Sequence, residues 1–589
     1  MRATDRGWRA LRSPQALLVA AGLIAAGAVT ALPTAAQARS DRTTDIQVLA
    51  INDLHGNLEP PQGSSGTVPT ANGPVVAGGV EYLATHLREA RARQGNRNTV
   101  TVGAGDLIGA SPLISGAFHD EPTAQVLDRL GLDVSSVGNH EFDEGKAELR
   151  RIQRGGCHPE DGCTDRKRPY QGAKFRYLAG NAIDTKTGRP LLPPYWVKDF
   201  RGARVGFIGL TLEGTPGVTS PAGAKGLKFL DEVETANRYA RLLRKQHVEA
   251  IVLLLHEGGF PAGANYDANC DSPGPGAGIS GPIVDIAKKL DASVDAVVTG
   301  HTHQPYVCTV PDPSGQPRLV TSAASYGRLF TELHLTYDAR TRDIRRTSAE
   351  SATGRNVIVT RDVAKDPAVS KLVTKYQKLV APIANRVVGH ISGDVLGRGA
   401  STPETPLGDL ISDGQRELTG AQLAFMNPGG VRGDLTFKAS GAEGDGVVTY
   451  GEAFNIQPFG NILVTQDMTG EKILQVLRQQ YSGANEANPK VLQPSGITYT
   501  VDRSRKGADR ILAETVKIGG VPLDATRTYK VVVNEFLASG GDNFPALKEA
   551  GNVVRGAADL EALEKYLTAH SSKEKPLAPP AVGRITFQG

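Results

Sequence analysis

Apolar residues along this chain come in short runs, and several of the runs are followed at once by a side chain able to ligate a metal. Asp45 to Ile51 predicts a strand that leads into Asn52-Asp53-Leu54-His55-Gly56. Thr99 to Val102 predicts a second strand, ending in Gly103-Ala104-Gly105-Asp106, and Val134 to Val137 a third, ending in Gly138-Asn139-His140-Glu141-Phe142-Asp143. Ala250 to Leu255 is wholly apolar, the pattern of a buried strand, and runs into His256; Ala296 to Thr299 runs into Gly300-His301-Thr302-His303. Ala203 to Leu210 is a similar run with no ligand directly behind it. Between the strands, Val80, Leu83, Ala84 and Leu87 recur at helical spacing up to Gly95, and a helix is predicted around Pro122 to Leu130. Strands alternating with helices predict an α/β architecture whose ligands gather beyond the carboxyl ends of the strands.

Behind Asp366-Pro367, the residues Val369, Leu372, Val373, Tyr376, Leu379 and Val380 predict an amphipathic helix, either joining two domains or packed on one of them. A second α/β pattern starts near Asn385. There Glu404-Thr405-Pro406-Leu407-Gly408-Asp409-Leu410 leads a helix, and Leu423 to Met426 predicts a strand ending in Asn427-Pro428-Gly429-Gly430-Val431-Arg432. At 589 residues the chain exceeds one ordinary core, in agreement with two domains or more.

Charge narrows the choice of partners. The formal net charge is +4, and the first 38 residues carry Arg2, Arg6, Arg9 and Arg12 against Asp5, a net +3 that leaves the rest near +1. That segment has a basic start, an apolar stretch from about Ala16 to Leu32 and small residues at Ala36-Gln37-Ala38, so 1–38 is expected to be a secretory signal peptide. A near-neutral mature chain argues against a nucleic-acid partner bound through bulk charge. No later stretch is apolar enough for stable membrane insertion after signal cleavage. Export permits disulfides. Cys157 and Cys163 bracket a short polar loop, and Cys270 and Cys308 are the other two cysteines. Of three connectivities, 157–163 with 270–308 is favoured because near neighbours close small loops at little entropic cost; a zinc site is the alternative, without any C-x-x-C spacing behind it.

A single histidine is most often a core or surface residue. That reading loses force where Asp53, His55, Asp106, Asn139, His256, His301 and His303 all follow apolar strands. Seven nitrogen and oxygen ligands without sulfur exceed what one Zn²⁺ needs, and with one carboxylate shared they fit two divalent ions about 3.5–4 Å apart. The imidazole and carboxylate mixture suits Mn²⁺, Zn²⁺, Fe²⁺, Co²⁺ or Ni²⁺. In their order, D-x-H, GD, GNHE, the strand-borne His and GHTH resemble the calcineurin-like metallophosphoesterases, over about Asp45 to Glu350. The resemblance implies Asp53, His55, Asp106 and His303 on one metal, and Asp106, Asn139, His256 and His301 on the other. It implies His140 and Asp143 as a catalytic dyad, and a four-layer α/β/β/α sandwich as the fold. A hydroxide between the two ions would then attack phosphorus in line, with His140 stabilising charge or protonating the leaving oxygen.

In the second half, Asn427 to Arg432, Gln457-Pro458-Phe459-Gly460-Asn461 and the stretch from Val532 to Asp542 resemble the C-terminal α/β domain of secreted and periplasmic 5′-nucleotidases, over about Val387 to Phe587. The resemblance implies that Phe459 and Phe536 stack on a base, Asp542 holds the ribose, Asn427 touches the base and Arg432 the phosphate. Asp409 stands where that family has Asn, a departure expected to be minor, and of the family's upstream phosphate arginines only Arg398 is nearby, at a register the sequence does not fix. The expected organisation is a signal peptide at 1–38, a metallophosphoesterase domain at 41–355, a linker with a helix at 356–386 and the C-terminal domain at 387–589. Together these imply an exported, two-metal 5′-nucleotidase acting on a nucleotide substrate, secreted or associated with the wall or periplasm, of unspecified oligomeric state. A 2′,3′-cyclic-nucleotide phosphodiesterase/3′-nucleotidase, or a hydrolase of nucleotide sugars or di- and triphosphates, would use the same residues. A secreted nucleotide-binding protein without catalysis would predict an eroded ligand set.

Overall fold

Alternation along the strands decides the layering. In Thr43–Ile51, Ile46, Val48 and Ala50 belong to one core while Leu49 and Ile51 belong to another, as the two-residue period of a strand requires. A computed structural model describes residues 43–589 except 220–221, 264, 268–269, 271–277, 347–351 and 442; the expected signal peptide lies outside the described residues. The first sheet runs Thr43–Ile51, Thr99–Ala104, Val134–Ser136 and Arg176–Leu178 in parallel, with Leu329–Asp338 antiparallel beside Thr43–Ile51. The second runs Ala203–Thr211, Ala250–His256, Ala296–Thr299 and Leu319–Ala323 in parallel, between antiparallel Tyr195–Phe200 and Pro305–Thr309. Val48, Val100 and Val134 of the first sheet share a core with Phe207, Val252 and Val298 of the second. Helices Val80–Gln94, Glu121–Leu130 and Gly145–Arg154 cover the first sheet, and Glu232–Lys245 and Pro282–Lys289 the second. The result is the expected α/β/β/α sandwich, with the carboxyl ends of both sheets' parallel strands at one rim.

The helix Pro367–Ala384 starts at Asp366, whose carboxylate accepts from the N–H groups of Ala368 and Val369. Val369, Leu372, Val373, Tyr376 and Val380 enter the core beneath the first sheet's helices, and Gln125 donates to the Tyr376 hydroxyl at 2.8 Å. The helix therefore packs on the first half of the molecule. Leu379, placed on the apolar stripe by its spacing, is instead 46% exposed, because it lies at the stripe's edge on the side turned from that core.

The second half holds a five-stranded sheet ordered Gln493–Ser495, Leu423–Met426, Thr528–Asn534, Ile462–Thr469 and Gly551–Ala558, with a four-stranded sheet beside it. Pro406–Thr419 and Asp559–His570 pack on one face of the larger sheet, and Gly470–Gln479 on the other. The halves meet directly: Asn455 accepts from the Leu113 N–H at 2.9 Å. Cys157–Cys163 and Cys270–Cys308 are both disulfides, which removes the zinc alternative at the cysteines. Among the described residues no helix is long and apolar enough to cross a membrane.

Candidate active site

The strand ends deliver their ligands through unusual backbone. Asp53, His55, Asp106, His301 and His303 all have φ between 47° and 71°, the left-handed region that non-glycine residues rarely adopt. The loops hold each other there: Asp53 N–H donates to Gly105 O at 3.1 Å and His55 N–H to Asp106 O at 3.0 Å. Gly138 is required by close approach, since a Cβ there would overlap the Asp106 carboxylate.

The side chains converge in two groups, Asp53 with His55 and His303, and Asp106 with His256 and His301. In the first, His303 Nε2 lies 3.3 Å from Asp53 Oδ1 and 3.1 Å from His55 Nε2. In the second, His256 Nε2 lies 2.9 Å from Asp106 Oδ2, and His301 Nδ1 lies 3.0 Å from the Asn139 amide oxygen. His55 Nε2, at 3.7 Å from the same Asp106 oxygen, links the groups. His55 and His256 give their Nδ1 atoms to the carbonyls of Gly109 and Ala104, at 2.9 and 2.7 Å, which turns both Nε2 lone pairs into the cluster. His256 Nε2 is buried without a well-aligned hydrogen bond, and lone-pair atoms face one another across about 3 Å. Such a donor set fits cations between its members.

The charges agree with that fit. Burial first, then the Arg432 guanidinium, hold His55 and His303 well below the usual imidazole value, and burial takes His301 down to about 3; neutral rings are what ligation needs. Burial opposes a charge on His256, but Asp106 and Asp53 push it up to about 10, so a positive charge is demanded beside Asp106.

His140 Nδ1 is 2.8 Å from Asp143 Oδ2, so the two residues expected as a dyad are brought together, with Nε2 the nitrogen left for a ligand. Burial opposes its protonation, yet Asp143 and Asp106 raise it overall. Glu141, in the same motif, had no role assigned from sequence. Its buried carboxylate accepts from the N–H groups of Asp106 and Leu107 at 2.9 Å and of Gly138 at 2.5 Å, clamping the Asp106 loop. Burial, then Asp106, push it up to about 7.

The second half closes over this cluster. Arg432 Nη2 is 3.5 Å from His55 Nε2, its guanidinium sits 5.4 Å from the centre of the Phe459 ring, and Phe459 stacks on His140 with centroids 5.5 Å apart. Asn427 donates to Asp542 at 3.0 Å and accepts from Asn534 at 2.9 Å, so much of its amide is engaged within the domain. Phe536 and Asp542 face the same space. One cavity of about 710 Å³ is lined by Asp106, Asn139 and His140 on one side and by Asn427, Arg432, Phe459, Phe536 and Asp542 on the other. Arg398 also reaches it, with its Nε donating to Val431 O at 2.8 Å. Tyr326, unremarked in the sequence, packs 5.4 Å from His303; burial raises its phenol, but Arg432, Arg398 and Arg328 outweigh that and lower it.

Residues 46–305 match the calcineurin-like phosphoesterase family and residues 387–549 the 5′-nucleotidase C-terminal domain. The chain is 34% identical over 596 residues to the cell wall protein Lmo0130 of Listeria monocytogenes, covering 97% of this chain and 73% of that one. It is 33% identical over 550 residues to the endonuclease YhcR of Bacillus subtilis, covering 92% of this chain but only 41% of the endonuclease's length. Among solved structures, a 5′-nucleotidase precursor from Thermus thermophilus superposes with a TM-score of 0.74 at 27% identity, covering 92% of this chain and 99% of the other.

Proposed function

The chain belongs to the calcineurin-like phosphoesterases that carry a 5′-nucleotidase C-terminal domain, and from that premise we propose an exported hydrolase that cleaves nucleoside 5′-monophosphates to nucleoside and phosphate. One observation carries the reading: the ligand cluster and the nucleoside-type loops line a single cavity, so a substrate bound by one half presents its phosphate to the other. Asp53, His55, Asp106 and His303 would hold one divalent ion, and Asp106, Asn139, His256 and His301 a second. Bound there, the ions supply Lewis acidity and activate water near neutral pH.

The chain's own groups do the rest. Asp143 accepts from His140 Nδ1–H, which orients the ring and favours the imidazolium, whose Nε2–H is then available to the phosphoryl oxygens or the leaving 5′-oxygen. Arg432, with Arg398 behind it, grips phosphate through charge-assisted hydrogen bonds. Phe459 and Phe536 offer ring faces to the base. Asp542, braced by Asn427, accepts from ribose hydroxyls. Export is supported by the N-terminal sequence pattern and by the cell wall relative. Diester cleavage in the same cavity is the second reading, favoured by the relative named an endonuclease.

The test is phosphate release by the mature chain after chelation and add-back of Mn²⁺ or Zn²⁺, on AMP, ATP, UDP-glucose, 2′,3′-cyclic AMP and bis(p-nitrophenyl) phosphate, with products separated by chromatography. Metal-dependent turnover greatest on AMP is the expected result. Turnover of the generic diester with no preference for nucleotides would discard the assignment of the second half.

A further inference from the structure

The phosphate grip read for this cavity depends on a residue that packing does not hold. Arg398 is exposed, facing the cavity, and stands between Gly397 and Gly399. Glycine leaves a backbone at its freest, so neither the neighbours in sequence nor a surrounding core fixes this guanidinium. Its Nε donates to Val431 O at 2.8 Å, which leaves the Nη groups for a ligand in the cavity that it lines together with Arg432.

What fixes the turn is Asp434, two residues beyond Arg432. One carboxylate oxygen, Oδ1, accepts from the N–H of Gly397 and from that of Gly399, each at 2.8 Å, so it holds the backbone on both sides of Arg398. The two loops run together around this contact. Val395 and Leu435 exchange backbone bonds at 2.8 and 3.1 Å, and the Arg398 N–H donates to Gly433 O at 3.4 Å. The approach is so close that a Cβ on Gly397 would lie 2.6 Å from Gly433 O. The other oxygen, Oδ2, faces the Gly63 turn of the first half, where a Cβ would come to 3.0 Å from it. Hydrogen bonds to a charged carboxylate are roughly twice as strong as neutral ones, and here two of them bear on one turn.

We propose that Asp434 is a positioning residue for phosphate binding, fixing through the Gly397 and Gly399 N–H groups the point at which Arg398 meets a phosphate beside Arg432. The inference rests on reading Arg398 and Arg432 as phosphate contacts, and adds the group that sets their spacing. Its sign separates it from a plain effect of charge. A carboxylate near a bound phosphate repels it, so if Asp434 acted only through its charge, neutralising it would tighten phosphate binding. A carboxylate that holds an arginine in place does the opposite when removed: Arg398 is then free to leave the phosphate, and ordering it again on binding costs affinity. Asparagine parts the two effects, because it drops the charge and keeps an Oδ1 able to accept from both N–H groups.

The experiment is calorimetric titration of the metal-loaded mature chain with inorganic phosphate, together with steady-state hydrolysis of AMP. The proteins are the wild type, Asp434→Ala, Asp434→Asn, Arg398→Ala and the double variant Arg398→Ala with Asp434→Ala. Metal content and Tm report that each is folded; where Asp434→Ala fails that check, Asp434→Ser, whose hydroxyl is too short to reach both N–H groups, takes its place. Asp434→Ala should raise the phosphate Kd and the KM for AMP about tenfold, the low end of losing a charge-assisted contact, with kcat within about threefold of wild type. Asp434→Asn should bind phosphate as tightly as wild type or tighter. The double variant should be no weaker than Arg398→Ala alone, since Asp434 acts through Arg398. Phosphate binding unchanged or tightened in Asp434→Ala while Arg398→Ala weakens it would overturn the role of Asp434 and leave the phosphate contacts standing. Additive losses in the double variant, or Asp434→Asn as weak as Asp434→Ala, would do the same. Phosphate binding unchanged in Arg398→Ala would overturn the phosphate reading of that arginine, and the role of Asp434 with it.

Discussion

Asp409 offers the sharpest quantitative test, because its environment fixes both sign and size. It lies in the first turn of Pro406–Thr419 with no exposed surface, and no described N–H or O–H donates to either carboxylate oxygen, while its neutral form can donate to Glu404. The nearest cation is Arg584, whose Nε is 3.4 Å away but whose Nη atoms are committed to Asp413. Glu404 beside it accepts from the backbone N–H groups of Gly583, Arg584 and Ile585. Burial, partly relieved by Arg584 and then reinforced by Glu404, pushes Asp409 from 3.8 up to about 9. An acid whose folded pKa is raised takes up a proton on folding. Its contribution is therefore most favourable below pH 3.8 and is lost as pH rises through the window to about 9. One bound proton costs about 1.4 kcal/mol per pH unit, so between pH 6 and pH 8 Asp409 should remove roughly 2.5 kcal/mol of stability. Asp409→Asn keeps the shape, donates to Glu404 as the neutral acid does and has no proton to bind. Thermal unfolding of wild type and variant at pH 6, 7 and 8, at fixed metal and salt, should show the variant gaining with pH. The gap in Tm should widen by about 5–10 °C for a domain of this size. A gap that stays constant across that range would mean an ionised Asp409 in the fold and would refute the argument. The resemblance supplied asparagine here and treated the difference as minor; burial makes it a pH-dependent liability.

Other outcomes follow from the site. Glu141→Gln keeps one accepting oxygen and turns an NH2 toward the N–H groups served by the other, either Leu107 or Asp106 and Gly138, so the Asp106 loop should shift; metal affinity and kcat should each fall about 10–100-fold, read by metal content and AMP turnover. Arg432→Ala removes a charge-assisted phosphate contact worth about 1.5–3 kcal/mol and should lower kcat/KM for AMP by about 10–100-fold; a loss below threefold would place the phosphate elsewhere. Phe459→Ala should cost about 1–3 kcal/mol on AMP, as loss of base stacking does, and little on p-nitrophenyl phosphate; equal losses on both would assign Phe459 to His140 rather than to the base.

The layers and the gathering of Asp and His side chains at the strand ends were legible because the chain writes them locally. Ala250–His256 is apolar at every position before its histidine, and Ala296–Thr299 likewise runs straight into its loop, so strand and chemistry are adjacent in sequence. What stayed hidden depends on residues far apart. Asp434 meets the N–H groups of Gly397 and Gly399 only where two loops run together, and Asp409 is trapped by a residue near the C-terminus. Arg398 is located by its bond to the carbonyl preceding Arg432. Leu379 shows the limit of periodicity: helical spacing puts it next to the apolar stripe, but only the partner surface decides where the stripe ends. Glu141 was in plain view within its motif, yet a carboxylate that serves backbone N–H groups looks, in sequence, like any other.

The backbone strain bears on what assembles the site. Five of the expected metal ligands, Asp53, His55, Asp106, His301 and His303, sit at positive φ. At about 1–3 kcal/mol each, such residues persist only where their surroundings over-determine them, and together they rival the net stability of a domain. The determinants are visible in the polypeptide alone. The Asp53 and Asp106 loops bond to each other through backbone, the Asp53 carboxylate accepts from the His301 N–H at 3.1 Å, and Asn52 is tied to Asp53, Ala323 and Ala324. Beneath them two sheets share one apolar core that fixes the strand ends. Backbone bonds between the loops, the Asn52 ties and the shared core thus hold these positions from the sandwich side.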